Sequence, residues 1–147
     1  MFCWQGGAFA VMAAMTASST TRAKPSGTIE VQCNGLARNA GEIVCALYDS
    51  AESFPSEDKV LAASYARVDG SSVTCRFEGI VGGRYAVAVF HDEDGDRKLK
   101  TFLGMPREGY GFSNDARPSR FGPPKFSQAA FDFDGVSKRI VINIKYP

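Results

Sequence analysis

The stretch Arg84-Tyr85-Ala86-Val87-Ala88-Val89-Phe90-His91 decides the fold. Apolar residues occupy both odd and even positions, and Gly82-Gly83 turns the chain into it. A short run that is apolar on both phases predicts a central strand covered on both faces. Upstream, Thr28-Ile29-Glu30-Val31-Gln32-Cys33 alternates strictly, the pattern of a half-buried strand. Asn34-Gly35 and Ala37 to Gly41 are turn material, so Glu42 to Tyr48 is expected to pair with the first strand as a hairpin. A weaker, Ala-rich strand is expected over Val60 to Val68. Asp69-Gly70 then turns into Ser72 to Phe77. Downstream, Ala129 to Phe133 and Lys138 to Tyr146 close the chain. No segment has a convincing 3.6-residue period, and no internal repeat is visible. The expectation is an all-β fold: an antiparallel β-sandwich of about seven strands, immunoglobulin- or transthyretin-like.

A length of 147 residues suits one such domain. With 44% apolar and 22% charged residues, the composition is that of a globular chain, neither disordered nor fibrous. Seventeen basic residues against sixteen acidic ones leave a formal charge of +1. No strong basic field is present to hold a nucleic-acid backbone or an anionic membrane. No nucleic-acid partner is expected, nor a membrane span in the mature chain.

Residues 1–23 differ from the rest. Gly6 to Met15 is a short apolar run, and small residues from Ala17 to Thr21 lead to Ala23. An apolar core followed by small residues is the pattern of a secretory signal peptide, with the cut expected after Ala23 and an alternative near Ser19. The single domain then spans residues 24–147, and the protein is expected to be exported, periplasmic or secreted. Cys33, Cys45 and Cys75 remain. Each sits on the apolar phase of a strand, as a buried free thiol would. An oxidising compartment also allows one disulfide, Cys33 to Cys45 across the hairpin or either of them to Cys75. No CxxC or CxxH spacing indicates a metal cluster.

From Asp92 to Gln128 the strand rhythm stops. Loops of that length are usually functional or disordered. This one carries Phe102, Leu103, Met105, Tyr110, Phe112, Phe121 and Phe126, which favour packing over solvent. Pro106, Pro118, Pro123 and Pro124 stiffen it, and Gly104, Gly109, Gly111 and Gly122 allow its turns. The expectation is a long ordered Gly/Pro/aromatic loop folded over one end or edge of the sheets. Asp92, Asp94 and Asp96 alternate as the first oxygen ligands of a calcium loop do. Against this, glycine stands at the fourth position, Leu103 stands where a bidentate Glu would, and three basic residues lie close by. An Asp/Gly turn with local hydrogen bonds explains the same residues. His91 is the only histidine, so His-based catalysis must use it, with Asp92 and Glu108 as the available carboxylates. Neither a GxSxG elbow nor a phosphate loop occurs. Tyr110, Phe112, Ser113 and Asn114, with His91 and Glu108, form the candidate ligand-binding set, aromatics beside polar groups as in carbohydrate or peptide recognition.

Three motifs carry a resemblance: Ala86 to Asp96 (AVAVFHDEDGD), Phe102 to Asn114 (FLGMPREGYGFSN) and Gly122 to Phe126 (GPPKF). Together they resemble the uncharacterised bacterial family called domain of unknown function 2141, across Thr28 to Tyr146. The resemblance implies an exported bacterial protein in which the long loop matters. It implies no particular activity or ligand. At Arg97-Lys98-Leu99-Lys100 the chain departs from the family's Gly-Lys-Leu-Asp, which removes an acidic residue from any calcium site.

Three functional expectations follow. The first is a non-catalytic binding or structural module that uses residues 92–126 as its working surface, toward a protein or glycan partner in the cell envelope. The second is a calcium-stabilised form of that module, calcium being the only cofactor in view. The third, from another class, is a small hydrolase built on His91, Asp92 and Glu108.

Overall fold

Alternation in the sequence becomes alternation in burial. Along Ser72–Val81, Val73, Cys75, Phe77 and Ile80 are buried while the residues between them face solvent. The computed structural model describes residues 24–97, 101–102, 105–106 and 108–147. Among these, the strands in chain order are β1 (Ser26–Asn34), β2 (Glu42–Tyr48), β3 (Ala62–Arg67), β4 (Ser72–Val81) and β5 (Gly83–Asp92). They continue with β6 (Thr101–Phe102), β7 (Met105–Pro106), β8 (Tyr110–Phe112), β9 (Phe131–Phe133) and β10 (Ser137–Asn143). One helical turn, α1 (Phe126–Ala129), precedes β9. The expected leader, with Cys3, lies outside the described residues, as does Leu103 of the long loop.

The fold is all-β and consists mainly of two sheets. One has the order β10-β1-β4; the other has the order β3-β2-β5-β8, with β9 also pairing β5. β6 and β7 form a separate two-stranded pair. Residues from both main sheets share one core. Ile29, Val31 and Cys33 of β1 and Ile142 of β10 come from one sheet; Ile43, Cys45 and Leu47 of β2 and Val87 and Val89 of β5 come from the other.

The expected hairpin between the first two strands is corrected: β1 and β2 belong to different sheets. β1 spends its two edges on β4 and β10, and β2 spends its own on β3 and β5. The pairing is not wholly antiparallel either, because β10 runs parallel to β1, Thr28 opposite Ser137 and Cys33 opposite Ile142. The cause is the return path. β9 ends beside β5 in one sheet, and the turn at Asp134-Gly135 delivers the chain to the other sheet already pointing along β1.

β5 is covered on both faces, as its two-phase apolar pattern requires. Tyr85, Val87 and Val89 face the shared core. Ala86 and Ala88 face a second cluster with Tyr48, Phe54, Phe112, Phe126 and Ala129. There the Phe54 ring meets Tyr48, Phe112 and Phe126 edge-on, at centroid distances of 5.3, 5.9 and 6.1 Å. Phe112 and Phe126 of the long crossover, residues 92–126, therefore lie over the outer face of the five-stranded sheet. The crossover also contributes β8 to that sheet's edge, a strand its Gly-Tyr-Gly spelling conceals.

Candidate functional site

The crossover has an inner part pressed against the sheets and an outer part in solvent. His91, near the end of β5, sits against the inner part and is fully buried. Its Nε2 lies 2.6 Å from the Ala40 carbonyl oxygen and its Nδ1 lies 2.8 Å from the Tyr146 hydroxyl. A carbonyl only accepts, so Nε2 carries a proton and donates to Ala40, while Nδ1 pairs with the Tyr146 hydroxyl. The Tyr146 oxygen in turn accepts the Ala37 N–H at 3.0 Å. Burial pushes the Tyr146 phenol up from its ordinary range. Both ring nitrogens are thus spent on tying the segment before β2 to the C-terminal segment. A general base needs a nitrogen within reach of its substrate. In this arrangement His91 is a fastener.

The next residues of the inner part form a seam between the two sheets. Glu108 is buried, and Gly109 accepts the His91 N–H at 2.7 Å. Tyr110 pairs with Phe90 on one side. On the other it exchanges both backbone hydrogen bonds with Lys145, at 2.9 and 2.8 Å. One short strand therefore bonds β5 of one sheet and the continuation of β10 from the other. The two glycines around Tyr110 are needed because the sheets are so close there. A Cβ on Gly109 would lie 2.6 Å from Tyr146 Cε1, and one on Gly111 2.5 Å from Ile142 Cγ2.

Ser113 and Asn114 complete the fastening. The buried Ser113 hydroxyl accepts the Val87 N–H at 2.9 Å and donates to the Ala129 carbonyl. Asn114, in the left-handed region at φ 59°, donates its side-chain amide to Ala130 O at 2.8 Å and Gln128 O at 3.3 Å. Asp115 accepts from the Asn143 backbone N–H and side-chain amide, both at 3.2 Å. Tyr110 and Phe112 are half-buried with rings 6.1 Å apart. Tyr110 and Phe112 border a shallow cleft with Asp115, Arg117 and Lys145 that has room for roughly one water.

The acidic cluster sits where β5 leaves the sheet. Carboxylate oxygens of Asp92, Asp94 and Asp96 lie within 4.8 Å of one another. Asp92 is fully buried and accepts the Gly95 and Arg97 N–H groups at 3.0 and 2.6 Å. Asp94 accepts the Asp96 N–H at 3.4 Å. The expected turn bonding and the expected convergence thus coexist. The Arg97 side chain points away, to Glu42 at 2.9 Å and over the Tyr65 ring at 4.0 Å. The hydrogen bond and charge of Glu42 raise its guanidinium further.

Cys33, Cys45 and Cys75 are free thiols, buried where the two sheets face each other. With β1 and β2 in different sheets, the hairpin route to a Cys33–Cys45 bridge is gone. Cys33 stands opposite Val73 and Val31 opposite Cys75, so those two thiols are diagonal neighbours. Burial and hydrogen bonding to the other two thiols push Cys45 up. Hydrogen bonds from Cys33 and Cys45, with a further one from Ser64, draw Cys75 down.

The outer part is a different surface. Arg117, Arg120 and Lys125 are exposed, and Phe121 is 96% exposed. The sequence reading missed Tyr146 and Asp115, the partners that bind the crossover to the chain's end. Both lie far along the chain from what they hold, and no local pattern announces such pairs.

No curated protein and no solved structure shows significant similarity to the chain. A family model described as "uncharacterized protein conserved in bacteria" matches residues 31–141, a span that contains β5, the acidic turn and the whole crossover. The chain therefore belongs to the family called domain of unknown function 2141.

Proposed function

We propose that the protein is an exported, non-catalytic binding or structural module of the bacterial cell envelope, with the outer part of the 92–126 crossover as its working surface. Its two sheets around one core read as a β-sandwich of immunoglobulin or transthyretin type. The apolar segment and small residues of 1–23 read as the export signal. One observation carries this reading. The inner residues of the crossover are consumed in holding the sheets together, and the basic and aromatic residues beyond them are left to solvent. A scaffold that spends its polar groups internally and presents one loop outward is organised for contact rather than for chemistry.

The test has two arms. Removal of residues 1–23 should leave the protein in the cytoplasm. In the otherwise intact chain, the triple variant Arg117→Ala, Arg120→Ala, Phe121→Ala should keep its melting temperature yet lose retention in washed cell envelopes. Unchanged retention of that variant would remove the crossover as the working surface.

A second reading has its own observation: the Asp92, Asp94 and Asp96 oxygens converge closely enough for a hard cation. In that reading calcium stabilises the turn that launches the crossover. Calcium should then raise the melting temperature over chelator, and Asp94→Asn with Asp96→Asn should abolish the difference. Equal midpoints for the unaltered protein would end it.

A further inference from the structure

We propose that the tip at residues 117–125 docks onto an anionic lipid surface, with Phe121 entering the interface and Arg117, Arg120 and Lys125 meeting the phosphates. This rests on reading the outer crossover as the working surface, and it names what that surface touches.

Single exposed apolar side chains are ordinary. Phe121 differs in degree and in setting. It is 96% exposed, while Leu61, Tyr65, Val81, Val136 and Val141 range from 42% to 65%. It is also held out by a braced turn. Ser119 and Gly122 exchange backbone hydrogen bonds at 2.9 and 3.4 Å, and the Phe121 N–H donates to Ser119 Oγ at 3.2 Å. Pro118, Pro123 and Pro124 stiffen both legs. At the base, the Lys125 N–H is tied to Gln128 Oε1 at 2.9 Å. Presenting the ring therefore requires little further ordering on binding.

The cations around it differ from most of the arginines elsewhere. Arg38, Arg76, Arg84, Arg97 and Arg139 each reach a carboxylate. Among the described residues, Arg117, Arg120 and Lys125 have no ion-pair partner, and the segment 116–125 contains no acidic residue. The nearest carboxylate in the chain, Asp115, is committed to Asn143. With a formal charge of only +1 on the whole chain, this is a local concentration of positive charge.

The shape selects the partner. Protein partners seat an aromatic anchor within a broad, complementary patch. Here a single ring stands 96% exposed on a braced turn, with cations on long apolar stems next to it in sequence. That suits a plane: the ring reaches the acyl boundary while the cations stay at the headgroups. Each cation near such a surface contributes about a fivefold increase in partitioning.

The experiment uses the full chain with Trp4→Phe and Phe121→Trp, so that the only indole reports the tip. With phosphatidylglycerol vesicles its emission should move to the blue and be quenched by lipids brominated high on the acyl chain. With phosphatidylcholine vesicles neither should happen. Adding Arg117→Glu and Arg120→Glu should weaken partitioning about tenfold or more. Three results would overturn the proposal: no blue shift with phosphatidylglycerol, an equal shift with phosphatidylcholine, or a response to dissolved alginate but not to vesicles. If vesicles fail while the triple alanine variant still leaves washed envelopes, the working surface stands and only the lipid assignment falls. If both fail, both fall.

Discussion

The two parts of the crossover, residues 108–115 and 117–125, are neighbours in sequence and share glycine, phenylalanine and serine, but the inner part carries Glu108 and Asp115 and the outer part three prolines and three cations. Both mix glycine, aromatic residues and small polar groups. The inner part is buried or half-buried for most of its length. Its hydrogen bonds go to β5, to α1 and to the chain's C-terminal segment. At its tip the outer part bonds only to itself, through Ser119 and Gly122. Glycine and aromatic content alone therefore do not separate a fastener from a contact surface. The difference lies in where the partners of the polar groups are. Buried hydrogen bonds to distant segments are costly to lose, whereas exposed local ones are replaced by water.

Substitutions can break this contrast, and the largest effect is expected at Ser113. Ser113→Ala strands the buried Val87 N–H and the Ala129 carbonyl together, which should cost about 3 kcal/mol. Denaturant unfolding measures it, and a loss below about 1 kcal/mol would mean that the inner part is not a fastener. Tyr48 probes the seal beneath the same segment. Burial, with the Glu57 charge, pushes its phenol up to about 12 from an ordinary value of about 10. The unfolded chain then ionises this group first, so its contribution is complete below pH 10 and declines as the pH rises toward 12. The loss should reach roughly 2–3 kcal/mol. Stability measured across that window should fall less steeply for Tyr48→Phe; parallel curves would contradict a sealed cluster.

Gly111→Ala sharpens the comparison at the seam. The new methyl meets Ile142 Cγ2, a side-chain atom that can yield in part, and lies 3.2 Å from Asn143 O. A destabilisation of roughly 1–2 kcal/mol is expected by calorimetry. A neutral result would show that the two sheets can separate slightly there. At the tip, Phe121→Ala and Arg120→Ala should each change stability by less than about 0.5 kcal/mol, because neither side chain has a buried contact to lose. A larger drop in melting temperature in either would place the outer part among the fasteners.

Much of this was legible from residue order, and the reason is local. Period-two alternation states which side of a strand is buried, so the burial of Cys33, Cys45 and Cys75 and the two covered faces of β5 could be read directly. The aromatic content of the crossover likewise announced the packing of Phe112 and Phe126, but the expectation that Phe121 also packs is corrected: it stands 96% exposed. The crossover's motifs announced the family, and spacing alone brought Asp92, Asp94 and Asp96 into one turn.

Tertiary structure decided who meets whom. An alternating strand carries no address for its neighbour, because backbone donors and acceptors are the same in every strand. Hence β1 could take β4 and a parallel β10 instead of β2. Gly-Tyr-Gly looks like a turn until a sheet edge and the C-terminal segment both require a strand without side chains at that point. His91 reads as a candidate base until Ala40 and Tyr146 occupy its two nitrogens. Residue order specifies what each side chain can do. Long-range packing leaves only some of those capacities facing solvent, because burial consumes the rest in hydrogen bonds that the chain cannot leave unmade.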